Sequence, residues 1–151
     1  MVKLDVGFKL FQPWASEVSK GKLTYLVRSV PTNKRKRVAI IATSGIDGIW
    51  AMKSTNKEIE IISKKVGIIG SVEIKNCIEI LPNKLSKIKD ELVNLGGKNY
   101  WLYYPKHLIP KNEKTGKSYI WTLKNPRTWK NPLPTSGGGI LWSKINIEEP
   151  Q

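Results

Sequence analysis

The chain has 151 residues, 40% of them hydrophobic, with 26 Lys and Arg against 12 Asp and Glu, a net charge of +14 and a pI near 9.9. That length fits one domain able to bury its own core, and the absence of any apolar run of about eighteen residues excludes a spanning helix. Cys77 is the only cysteine, which excludes an internal disulfide and argues against a cysteine-built metal site.

The positive surplus favours polyanionic partners, and nucleic acid is the commonest of these. An anionic membrane would compete, but no long basic amphipathic helix is present and no membrane partner is expected. A Lys-rich surface that only keeps the protein soluble is the plainer reading of the same charge. No apolar segment with a small-residue cleavage site opens the chain, so a cytoplasmic location is expected.

Residues 2–11 alternate as a strand, with Val2, Leu4 and Val6 on one face and Lys3 and Asp5 on the other. Pro13 suits the first position of a short helix carrying Trp14 and Val18 on one face, and Gly21 ends it. Residues 23–28 are rich in β-formers and read as a strand, followed by a turn over 31–36 with a basic tip. The apolar run 38–43 is a strand buried on both faces. Residues 44–48 are a loop, and apolar spacing at Ile59, Ile62 and Val66 predicts one helix between Trp50 and Lys65.

The glycine-punctuated stretch 66–80 predicts a bent barrel strand. Residues 85–95 give the clearest helix, stopped by Gly96-Gly97, and 100–104 are aromatic. A polar connection over 112–117 leads to a strand at 119–124, which Asn125-Pro126 is expected to break. A closing strand follows at 140–142. The reading is an α+β barrel of five to six strands with two to three helices. Residues 1–145 form its single domain and 146–151 a C-terminal tail.

Four stretches recur in a recognisable order: Gln12-Pro13-Trp14-Ala15-Ser16; Gly21-Lys22-Leu23-Thr24 running to Arg28-Ser29; Gly67-Ile68-Ile69-Gly70-Ser71-Val72; and Trp121-Thr122-Leu123-Lys124-Asn125-Pro126 with Leu133-Pro134, Gly137-Gly138-Gly139 and Trp142. Together they resemble the ASCH domain family of the PUA-like superfamily over roughly residues 10–142. The resemblance implies a PUA-like pseudobarrel with a cleft beside the first helix, and RNA or DNA binding. Some bacterial branches are hydrolases, one acting on the amide of acetylated cytidine and one described as a ribonuclease. In the amidohydrolase branch a Gly-x-Lys-Thr pattern supplies Lys and Thr beside a Glu. Here Leu23 stands at the Lys position and Thr24 at the Thr position, and Leu26 replaces an acid two residues before Arg28. Lys22 is adjacent, but neighbouring strand side chains point to opposite faces.

Among nucleic-acid-binding candidates, Trp14 either stacks on a base or packs in the core. Gln12 either reads a base edge or caps the helix. Arg28 offers a fork for phosphate or pairs with an acid such as Glu17, with Ser29 and, from the motif, Lys22 and Thr24 beside it. Lys34, Arg35, Lys36 and Arg37 form a loop-borne cluster suited to backbone phosphates. A second basic–aromatic region holds Lys124, Asn125, Arg127, Trp129 and Lys130. There the Trp121 side faces the core and Trp129 is expected to be exposed for stacking.

The catalytic candidates are Lys22 and Thr24, with Glu73 as an acid that can be drawn beside them. No metal and no cofactor are expected. His107 is the only histidine, and Gly137-Gly138-Gly139 precedes a strand rather than a helix. The leading expectation is a monomeric nucleic-acid-binding module, RNA before DNA, with a nucleotide-accepting cleft. The alternatives are a nuclease or amidohydrolase on RNA or a modified nucleoside, and an interaction domain with an exposed apolar patch.

Overall fold

The first strand, β1, spans Lys3–Gln12, and its inward side chains are buried from Leu4 to Gln12. The computed structural model describes residues 2–84, 110–135 and 141–150. After Pro13 the chain turns into α1 (Trp14–Ser19), which buries Trp14, Ala15 and Val18. Gly21 takes φ 75°, the left-handed conformation that suits glycine just past a helix end. The strands β2 (Tyr25–Arg28) and β3 (Arg37–Ile46) follow.

The single helix expected between Trp50 and Lys65 is instead two. The first, α2, spans Gly48–Met52, and the Asp47 carboxylate accepts its Trp50 N–H at 2.8 Å. The second, α3, spans Asn56–Ser63 and opens with a Thr55–Glu58 capping box. Two capping side chains eight residues apart start two helices, and the apolar spacing alone hides the second start. The remaining strands are β4 (Gly67–Ile80), β5 (Ser118–Leu133) and β6 (Trp142–Glu148). The helix expected over 85–95, the aromatic stretch 100–104, His107 and the glycines 137–139 lie outside the described residues.

Asn125-Pro126 does not end the strand as expected. Glu73 pairs with Lys124 and Ser71 with Arg127, so two β5 residues oppose the single Val72 of β4. The pair is absorbed as a bulge, with Asn125 at φ 51°, where a missing proline N–H breaks no ladder. Nor are residues 146–150 a loose tail. Ile147 pairs with Leu4 and Glu148 with Lys3, and the Glu149 N–H donates to the Val2 carbonyl at 2.8 Å.

The six strands form one sheet in the order β2-β5-β4-β3-β1-β6. β1 and β3 run parallel, and the other neighbours are antiparallel. The sheet curls into a half-barrel around α1, which packs on β1, β3, β4 and β5. The main core lies in that concavity, built from Phe8, Leu10, Trp14, Val18, Tyr25, Ile40, Val72 and Trp121 among others. A smaller core covers the opposite face, where Leu4, Ala39, Ile41, Ile68 and Trp129 meet. Two cores explain why the β3 sequence is apolar on both faces.

Candidate nucleic-acid interface

Curling brings the two ends of the sheet together without joining them. Arg28 at the end of β2 donates from Nη2 to the Lys9 carbonyl of β1 at 3.1 Å. Trp121 of β5 stacks on Trp142 of β6 with ring centroids 5.4 Å apart and planes 16° apart. Between β2 and β1 a cleft of about 550 Å³ remains. Trp14 and Leu10 form its floor. Leu26, Val27 and Arg28, continued by Ser29 and Val30, make one wall. Lys9, Phe11 and Thr43 make the other, with Pro110 and Leu141 at the ends. A mostly apolar lining with a few cationic and hydroxyl groups is the usual make-up of a small-ligand cleft. Phe11 stands at the mouth, 55% exposed, its ring so close to Gly45 that a Cβ there would lie 2.8 Å from Cε1.

Of the residues expected at such a site, Trp14, Arg28 and Ser29 line the cleft. Trp14 is also largely buried, so both readings of it meet in one side chain. Gln12 belongs elsewhere. It is 1% exposed, its Nε2 donates to the Lys65 carbonyl at 3.0 Å, and its Oε1 accepts the Ser16 N–H at 3.0 Å. Both ends of the amide are used, to cap α1 and to tie β1 to the chain entering β4, and the side chain is buried apart from the cleft lining.

Lys22 is exposed and Thr24 half-buried, and neither is among the cleft-lining residues. The Glu73 carboxylate is engaged by Arg37 at 3.3 Å, Asn125 Nδ2 at 3.4 Å and Lys124 at 3.7 Å. None of Lys22, Thr24 and Glu73 lines the cleft. Among the described residues, no three His, Cys, Asp or Glu side chains gather as a metal site.

The basic loop divides in four directions. Lys34 Nζ lies 5.2 Å from the Trp142 ring centroid. Arg35 turns back onto the carbonyls of Thr32 and Lys34, at 2.9 and 2.8 Å, while exposed. Lys36 pairs with Asp5 at 2.8 Å, and its hydrogen bond draws the Asp5 carboxyl below the ordinary range. Arg37 is a structural residue, correcting its assignment to phosphate. Its side chain is 7% exposed and bonds Ser71 Oγ at 2.9 Å and the Asn125 carbonyl at 2.8 Å.

The second basic–aromatic region is likewise tied down. Trp129, expected in solvent, is 7% exposed, and its Nε1 donates to Glu149 Oε2 at 3.0 Å. Glu149, itself 4% exposed, also accepts short hydrogen bonds from Ser71 Oγ and Arg127 Nη1. Burial pushes the Glu149 carboxyl up, but the bonds from Ser71, Trp129 and Arg127 outweigh it and hold the group below its usual range. Lys124 and Lys130 are exposed.

Sequence reading missed Glu149, which lay in the supposed tail, and the cleft residues Lys9, Phe11 and Thr43. Phe11, an aromatic beside the opening motif, carried a usable signal; the others are brought in only by the pairing of β1 with β3.

No protein-family model matches the chain, and no curated protein matches it. Solved structures do. A Ser-to-Ala mutant form of the ZmASCH protein from Zymomonas mobilis aligns with a TM-score of 0.55 at 14% identity, over 93% of this chain and 87% of that one. A Tyr-to-Phe mutant form of the same protein aligns with a TM-score of 0.50 at 15% identity, over 82% of this chain and 70% of that one. At this identity the likeness speaks to architecture, and on it, with the curled sheet and enclosed α1, the chain has the fold of the ZmASCH structures, an α+β pseudobarrel.

Proposed function

We propose that this chain is an RNA-binding module of the ASCH type that takes one nucleotide of a single strand into the cleft between β1 and β2. The observation that carries this is the lining: an apolar floor of Trp14 and Leu10 beneath two cations, Lys9 and Arg28, on a chain of net charge +14. A base has an apolar, stackable face and a phosphate an anionic edge, and this lining offers a counterpart to each. RNA ranks before DNA because the PUA-like resemblance points there. The exposed Arg35, Lys124 and Lys130 add attraction without base preference.

The test is fluorescence anisotropy with a labelled single-stranded RNA across a salt series. Binding at low salt should fall with salt, with a slope of about −0.7 per phosphate neutralised. Arg28→Ala, Lys9→Ala and Phe11→Ala should each weaken it by about tenfold, on the scale of one phosphate or stacking contact. Absence of binding to RNA and single-stranded DNA at low salt would refute the reading, as would wild-type affinity in all three variants.

A further inference from the structure

One cation of the basic loop is held by an aromatic ring rather than by a carboxylate. Among the described residues Lys34 makes no ion pair, and its Nζ lies over the Trp142 ring at 5.2 Å. Trp142 also stacks on Trp121, and the Arg28 Cζ lies 5.5 Å from the Trp121 centroid. Guanidinium, indole, indole and ammonium thus form one column.

The column is fixed at its inner end. Trp121 is fully buried, and its Nε1 donates to the Val30 carbonyl at 3.1 Å. Phe8 meets Trp142 edge-on at 6.0 Å and 71°, which sets the plane of the outer indole. Trp142 remains half-buried, with the Lys34 ammonium over its ring. Residues 31–35 belong to no helix or strand, so moving the Lys34 side chain away breaks no ladder. A hydrated ammonium on an indole is held more weakly than a base stacked on the same ring.

We propose that the outer face of Trp142 is a stacking subsite for an unpaired nucleobase. The base displaces Lys34, extends the column by one member, and the freed ammonium moves to that nucleotide's phosphate. The inference rests on the RNA-binding reading and adds a second base position to it. The Arg28 end of the column lines the cleft and the Trp142 end carries the new site, so one strand is gripped at both ends of a single aromatic stack.

The experiment is ultraviolet crosslinking of the whole protein to a labelled single-stranded octa-adenosine RNA at low salt, with crosslinked residues mapped by mass spectrometry. Trypsin releases residues 131–144 as a peptide whose one tryptophan is Trp142, and the crosslink is expected on that residue. In anisotropy, Trp142→Leu should weaken binding by roughly ten- to a hundredfold, and Trp142→Phe, which keeps an aromatic face, by no more than about threefold. Lys34→Ala should lower the salt slope by about 0.7.

If wild type binds but shows no crosslink at Trp142, and a folded Trp142→Leu binds as wild type does, the subsite is wrong and the cleft reading stands. If the Leu variant does not fold, the crosslink on wild type decides alone. If wild type binds no RNA, both readings fall.

Discussion

Glu149→Ala tests what holds the segment after β6 to strands β4 and β5. In the native structure the Glu149 carboxylate accepts from Ser71 Oγ, Trp129 Nε1 and Arg127 Nη1. Ser71 is 0% and Trp129 7% exposed, so removing the acceptor strands two buried donors. Each stranded donor costs about 1–3 kcal/mol. The Arg127 side chain is 53% exposed, so its ion pair adds only about 0–1 kcal/mol. The expected loss is therefore about 2–7 kcal/mol, a large share of a typical domain's roughly 5–15 kcal/mol. For a domain of this length that lowers Tm by roughly 4–28 °C. Urea unfolding gives the free energy directly. Arg127→Ala, measured beside it, should cost no more than about 1 kcal/mol if Arg127 adds only its ion pair. A Glu149→Ala loss below about 1 kcal/mol, or equal losses from the two variants, would refute the claim that buried donors rather than surface charge make this latch.

The same carboxylate sets an acid limb. Its folded value lies below the ordinary one, so the unfolded chain binds the extra proton, and stability rises with pH across that interval. The contribution is complete above the ordinary glutamate value of about 4.3 and is lost as pH falls through the lower folded value; Glu149→Gln should flatten that limb in an unfolding series from about pH 5 downward. Gly70→Ala should destabilise by about 2–4 kcal/mol, because a Cβ there would lie 2.1 Å from the Arg127 carbonyl, backbone that cannot move without disturbing the β5 bulge. Thermal melting checks it, and a Tm change under about 2 °C would contradict the close approach.

Local pattern carried much of the fold. The apolar run of β3, the Pro13 and Gly21 limits of α1, and the glycines of β4 all read correctly because each depends on neighbours a few residues away. The site divided along the same line. Trp14, Arg28 and Ser29 line one cleft because one short motif delivers them to one wall and its floor. Gln12 and Arg37 were not legible, because their partners are distant in sequence. Gln12 reaches a carbonyl 53 residues away, and Arg37 reaches a hydroxyl 34 and a carbonyl 88 residues away. A charged or amide side chain looks the same in sequence whether it faces solvent or a buried carbonyl. Only the sheet register decides, and here it turned two predicted ligands of RNA into braces of the barrel.

The β5 bulge accounts for the largest of these misreadings and for the position of the site. Trp121 and Trp129 are eight residues apart, an even number, so an unbroken strand would put both on one face. They lie instead in different cores, Trp121 in the concave one and Trp129 in the outer one. The extra residue at Asn125-Pro126 supplies the odd step that reverses the face. Because of it, one strand holds both ends of β6, which is not its neighbour in the sheet. Trp121 stacks on Trp142 at the start of β6, and Trp129 binds Glu149 just past its end. β6 in turn pairs with β1, and the Lys9 N–H donates to the Leu141 carbonyl at 2.9 Å. The cleft wall at Lys9 and Phe11 is thus positioned through β6 by β5, while the opposite wall, β2, pairs with β5 directly. Both walls of the cleft are referred to one strand, and that is why a sheet left open between its edge strands β2 and β6 can still hold a defined gap.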